Sequence, residues 1–276
     1  MRIALCNEVI AVKPLAEQCA FAAALGYDGL ELAPFTLGEQ PHLLGPAEQT
    51  RIRSAIEGHG LAVIGLHWLL VTPKGLSITT PDKNLRANTV DIMRRLIDLC
   101  AALGGKIMVH GSPAQRAIAP GETLQTARAR AIESWAAIAS TAEQAGVSYC
   151  IEPLSKDQTP LVNTLAEAAE IVGQIGSPAV RTMLDTSSAG LSESQSLPEL
   201  IDRWLPTGLL AHVQVNDRNR RGPGQGADRF APVFAALKRH RYAGDISVEP
   251  FDYIPDGPAA AARAIGYVRG IIEAQA

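Results

Sequence analysis

The sequence lacks the features that mark several protein classes. No stretch approaches the run of about 20 apolar residues that crosses a bilayer. The first residues are apolar but carry no basic leader or small-residue cleavage pattern, so the expected location is the cytoplasm, with no membrane partner. Basic residues are not in excess: 25 Lys and Arg stand against 28 Asp and Glu, a formal net charge of -3, and the pI is near 6.1. Such a surface is not drawn to phosphate backbones, which argues against nucleic acid as a partner. The four cysteines, Cys6, Cys19, Cys100 and Cys150, have no short paired spacing of the zinc or redox kind and read as buried thiols. No repeat and no low-complexity linker divides the chain.

What is present is an ordinary globular composition, 47% hydrophobic and 19% charged, with a regular alternation. Short apolar runs rich in β-branched residues alternate with longer helix-period segments from end to end, the pattern of repeated βα units around a parallel sheet. The expected strands are residues 2–6, 29–33, 62–66, 106–110, 148–152, 181–185, 211–215 and 245–249. Gly26 after the first helix and Gly104-Gly105 after the third read as helix ends, and Asp228 as a cap for the seventh helix. Open doubly wound sheets share the alternation, but they usually stop at five or six strands and often carry a Gly-rich phosphate turn after the first. Neither feature is found. The expected fold is α/β: a (β/α)8 TIM barrel forming one domain over residues 1–276, close to the usual size of about 250 residues.

Polar residues at the strand ends then carry information. Parallel barrel strands are buried on both faces, so a carboxylate there must be paired, hydrogen-bonded or bound to a metal. Glu152 ends the fifth run, Asp185 ends the sixth, His212 lies in the seventh and Glu249 ends the eighth. The C-terminal ends of barrel strands face one mouth, where barrel active sites are built. Three crowded carboxylates repel, and a divalent cation cancels that repulsion. An oxygen-rich set with one imidazole suits Mn2+ best, or Mg2+ or Co2+, rather than structural zinc. One ion per chain is expected, and no second cluster is evident.

Other candidates are single residues. His67 follows the third strand beside Trp68, and His110 ends the fourth; each either contacts substrate hydroxyls or serves the core. Glu8 and Glu31 fit supporting hydrogen bonds around a site. The loop 216–226 holds Asp217, Arg218, Arg220 and Arg221 before a Gly- and Pro-rich turn; it either grips an anion such as phosphate or is a solvated loop. His42, His59 and His240 look structural.

The segments Ile151-Glu152-Pro153-Leu154, Leu184-Asp185-Thr186, His212-Val213-Gln214-Val215-Asn216-Asp217, Gly222-Pro223-Gly224-Gln225-Gly226 and Val248-Glu249-Pro250 together resemble the xylose isomerase-like barrel superfamily, in particular the sugar phosphate isomerase/epimerase proteins related to ketose 3-epimerases and hydroxypyruvate isomerases. The resemblance spans nearly the whole chain. It implies a metal held by Glu152, Asp185, His212 and Glu249, with Glu152 and Glu249 doubling as the acid/base pair. It also implies a small sugar or sugar phosphate substrate, a place in carbohydrate metabolism, and a dimer or tetramer. Two positions depart from the family pattern: Ser188 replaces a histidine, and Gln158 replaces a substrate-facing acidic residue. Three chemistries share such a site: epimerisation, aldose-ketose isomerisation, and lyase chemistry on a 3-oxo or C-linked sugar. An abasic-site endonuclease-like hydrolase and a non-catalytic sugar-binding module are the remaining alternatives.

Overall fold

A computed structural model describes residues 1–275. Eight parallel strands close on themselves in sequence order: β1 (Ile3–Cys6), β2 (Gly29–Leu32), β3 (Ala62–Leu66), β4 (Ile107–His110), β5 (Ser148–Ile151), β6 (Val180–Asp185), β7 (Leu210–Val215) and β8 (Ile246–Val248). The ring is sealed by pairing of β1 with β8, Ala4 opposite Ser247. This is the expected (β/α)8 barrel. Every expected strand is present, with every end within one residue; β8 is trimmed by one at each end and spans three residues. Glu152 and Glu249 therefore sit just beyond their strands, where the backbone is free to turn into the mouth.

The main apolar core lies between sheet and helices, where residues such as Leu30, Leu96, Tyr149, Val213 and Phe234 are buried. A smaller cluster of Val109, Cys150 and Met183 comes from β4, β5 and β6. The two-residue period of a strand puts Glu152 on the face of Cys150 and Asp185 on the face of Met183. Those carboxylates thus continue the inward-facing column toward the mouth. All four cysteines are free and buried, as expected.

Gly26 ends its helix at φ 88°, and Gly104 follows the helix Lys83–Ala102 at φ 90°, the left-handed conformation their positions suggested. Asp228 is not the cap it was expected to be. The helix Ala231–Arg239 is preceded by Phe230, and the Asp228 carboxylate instead accepts hydrogen bonds from the Arg218 backbone N–H and guanidinium. Among the described residues, no helix is long and apolar enough to cross a membrane.

Candidate active site

Three carboxylates meet at the barrel mouth. Glu152, Asp185 and Glu249 are each 5% exposed or less, and one oxygen from each lies within 4.8 Å of the others. Burial, then mutual repulsion, pushes the carboxyls of Glu152 and Glu249 well above the usual range, and burial pushes Asp185 up to about 6. Asp185 is the last residue of β6 and caps the helix Thr186–Ser192, its Oδ1 accepting from the Ser188 N–H at 2.7 Å. Its Oδ2 is buried with no hydrogen-bond partner. Ser188, the departure from the family pattern, thus orients the carboxylate through its backbone.

Two residues that sequence reasoning missed hold Glu152. A Cβ at Gly111 would collide with Glu152 Oε2, so only glycine lets the carboxylate lie there. The fully buried Arg116 donates to the carbonyls of Glu152 (2.9 Å) and Gly111 (2.8 Å), tying the end of β5 to that of β4. Nothing in the sequence around Arg116 distinguishes it from a surface arginine.

His212 is not within 4.8 Å of all three carboxylates, and its orientation is held by Glu31. The Nε2 of His212 lies 2.8 Å from Glu31 Oε2, and its Nδ1 is buried with no partner. Glu31 also accepts from Gln214 at 3.0 Å and from the Ser247 hydroxyl. Burial opposes its ionisation, but His212, His67 and Ser247 outweigh burial and hold the carboxyl at about 2. A charged Glu31 accepts from His212 Nε2, which leaves Nδ1 as the ring nitrogen not engaged in a hydrogen bond. The supporting role expected of Glu31 is therefore concrete.

His67 is fully buried, 2.7 Å from Glu8 Oε2 and 3.8 Å from Glu249 Oε1 through Nε2. With Cys6 it completes a second convergent group that shares Glu249, which corrects the expectation of a single cluster. His110 is a core residue. Its Nδ1 lies 3.1 Å from Trp135 Nε1 and 2.7 Å from the Tyr149 hydroxyl. Because an indole N–H can only donate, Nδ1 must accept, and the ring is neutral.

Two chambers at the mouth share lining residues. A recess of about 20 Å³ is lined by Trp68, Gly111, Ser112, Glu152, Gln158 and Glu249 among others. Outside it, a chamber of about 410 Å³ is lined by Glu8, Phe35, Trp68, Val71, Gln158, Arg220, Phe251 and Tyr253. Of the expected substrate contacts, Gln158 lines both, while His67, His110 and Arg218 line neither. Arg218 faces away, paired with Asp228 at 2.6 Å, and Arg221 pairs with Asp252; Arg220 is the arginine of that loop that reaches the chamber. Phe251 and Tyr253 were also missed, although their place directly after Glu249-Pro250 marks them as mouth residues.

Residues 19–271 match the profile of the xylose isomerase-like TIM barrel family. The chain is 28% identical over 235 residues to the D-psicose 3-epimerase of Ruminiclostridium cellulolyticum, covering 83% of this chain and 75% of that protein. It is 24% identical over 259 residues to the 3-dehydro-D-guloside 4-epimerase of Escherichia coli, covering 90% and 92%. The crystal structure of 3-keto-D-glucoside 4-epimerase from E. coli superposes with a TM-score of 0.82 at 22% identity, over 98% of this chain and 99% of that one. At that identity the likeness is one of fold. The named relatives are epimerases, which are isomerase-class enzymes.

Proposed function

The chain belongs to the xylose isomerase-like TIM barrel family, and on that premise we propose that it is a metal-dependent sugar epimerase that inverts a carbon next to a carbonyl by proton transfer between Glu152 and Glu249. The observation that carries this reading is the buried convergence of Glu152, Asp185 and Glu249, with Asp185 Oδ2 and His212 Nδ1 both left without partners. Burying uncompensated carboxylates costs several kcal/mol per ion, and these orphaned donor atoms are the kind a divalent cation satisfies. The residues fit such an ion, with Glu152, Asp185, His212 and Glu249 as its ligands. Bound there, a divalent ion polarises a substrate carbonyl and offsets the negative charge that develops as the neighbouring carbon loses its proton.

The remaining chemistry falls to the chain. Glu152 enters the recess from the end of β5 and Glu249 from the end of β8. One removes the proton from one face of the sugar carbon and the other returns a proton to the opposite face. His67 Nε2 lies 2.7 Å from Glu8 and 3.8 Å from Glu249 Oε1, placing an imidazole between the two carboxylates. The relatives' names describe this same step, since carbon 3 of a 2-ketose and carbon 4 of a 3-dehydro sugar both adjoin the carbonyl. The hydrolase alternative is weakened by His110, whose place against Trp135 removes one of the few histidines a multi-zinc site would use.

The test is a screen of ketoses, ketose phosphates and 3-oxo sugars in deuterated water with Mn2+ added. An epimerase washes deuterium into the carbon beside the carbonyl and accumulates the epimer. Metal-loaded protein that exchanges none of these substrates overturns the reading. Movement of the carbonyl to the adjacent carbon assigns it to aldose-ketose isomerisation instead.

A further inference from the structure

We propose that the substrate is a neutral glycoside whose second ring packs in the outer aromatic chamber, rather than a free or phosphorylated ketose; this rests on the epimerase reading. The chain has only five phenylalanines, three tryptophans and five tyrosines, yet Phe35, Trp68, Phe251 and Tyr253 line one chamber. Trp68 and Phe251 meet edge-on with ring centroids 6.1 Å apart, and Phe251 remains 36% exposed. Aromatic walls left open to solvent favour a ligand with an apolar ring face.

The volumes point the same way. The recess at the carboxylates is about 20 Å³, room for about one water-sized group, whereas the chamber that shares three of its lining residues is about 410 Å³, within the range of pockets that enclose larger ligands. Trp68, Gln158 and Phe251 line both spaces, so a ligand that reacts in the inner one and extends past these three side chains enters the outer one.

Charge argues against a phosphate. Arg220 is the arginine in the lining, and its guanidinium lies 3.4 Å from Asp157 in a chamber that also contains Glu8. A dianion would meet a compensated cation and a carboxylate. The apolar ring face can come from an aromatic aglycone or from a second pyranose, and both satisfy the same walls.

The experiment compares deuterium wash-in by metal-loaded enzyme for the methyl and phenyl 3-oxo-glucosides, a 3-oxo disaccharide, a free ketose and its phosphate. The phenyl glycoside or the disaccharide should exceed the methyl glycoside in kcat/KM by about 10-fold, and whichever does identifies the ring. Tyr253→Ala and Phe35→Ala should each reduce that advantage. Equal rates for all glycosides, or preference for the phosphate, overturn the proposal. So does a concentration-dependent dimer that Phe251→Ala abolishes without any ring preference, because the chamber then belongs to a second copy. If nothing exchanges, calorimetric binding of unreactive phenyl β-glucoside separates the two readings: tight binding lost in Tyr253→Ala retains the chamber while the epimerase reading fails, and no binding removes both.

Discussion

Glu31 and His212, 181 residues apart in sequence, meet inside the barrel with Oε2 2.8 Å from Nε2, and this contact leaves His212 Nδ1 buried without a hydrogen-bond partner. If His212 holds the proposed ion through Nδ1, this contact fixes the tautomer that binding requires. Glu31→Gln keeps the size but lets the histidine take either tautomer. Metal affinity, measured by calorimetry with Mn2+, should fall by about 10- to 100-fold, with circular dichroism unchanged. Wild-type affinity in this variant removes His212 from the ligand set.

The two glutamates should separate binding from proton transfer. Glu152→Gln and Glu249→Gln each keep one carbonyl oxygen as a ligand but lose the base, so substrate exchange should drop by about 10²-fold or more while part of the metal remains bound. In a two-base enzyme, the two substrate epimers should also differ in which variant still exchanges their proton. Near-wild-type turnover in either variant refutes the assignment.

Gly111→Ala tests the packing that aims Glu152. The added methyl takes the place of Glu152 Oε2 and must displace the carboxylate. A misplaced catalytic group of this kind costs about 10²-fold in kcat/KM. The expected signature is loss of activity in a protein that still unfolds cooperatively, and unchanged kinetics would show that the carboxylate does not act from that position.

His110 gives a pH dependence of stability unrelated to catalysis. Burial, with help from the charge on Arg116, holds its pKa well below the ordinary value, so the folded ring stays neutral. The unfolded ring takes up a proton below about pH 6.5. The unfolded state then binds more protons, and stability should fall as pH drops below that value, by up to about 1.4 kcal/mol per pH unit from this residue. His110→Asn can still accept from Trp135 but does not titrate. Urea unfolding from pH 7.5 to 5 should show a shallower loss for the variant, and parallel curves would contradict the account.

The sequence by itself determined the barrel, because strand and helix periods are local: eight buried apolar runs separated by amphipathic helices leave few other ways to bury a parallel sheet. The strand-end positions of Glu152, Asp185 and Glu249 were legible for the same reason, since closing the barrel brings any set of C-terminal strand ends to one mouth. Tertiary structure decided what depends on direction and on partners distant in sequence. His67 and His110 hold equivalent strand-end places, yet one lies against Glu8 and Glu249 and the other against Trp135 and Tyr149. The next residue along a strand faces the opposite side, so a shift of one position exchanges site for core. Arg218 and Arg220 differ in the same way, two residues apart in a loop with no period to read: Asp228 holds the first outside, and the turn of the backbone at Arg220 brings the second to the chamber.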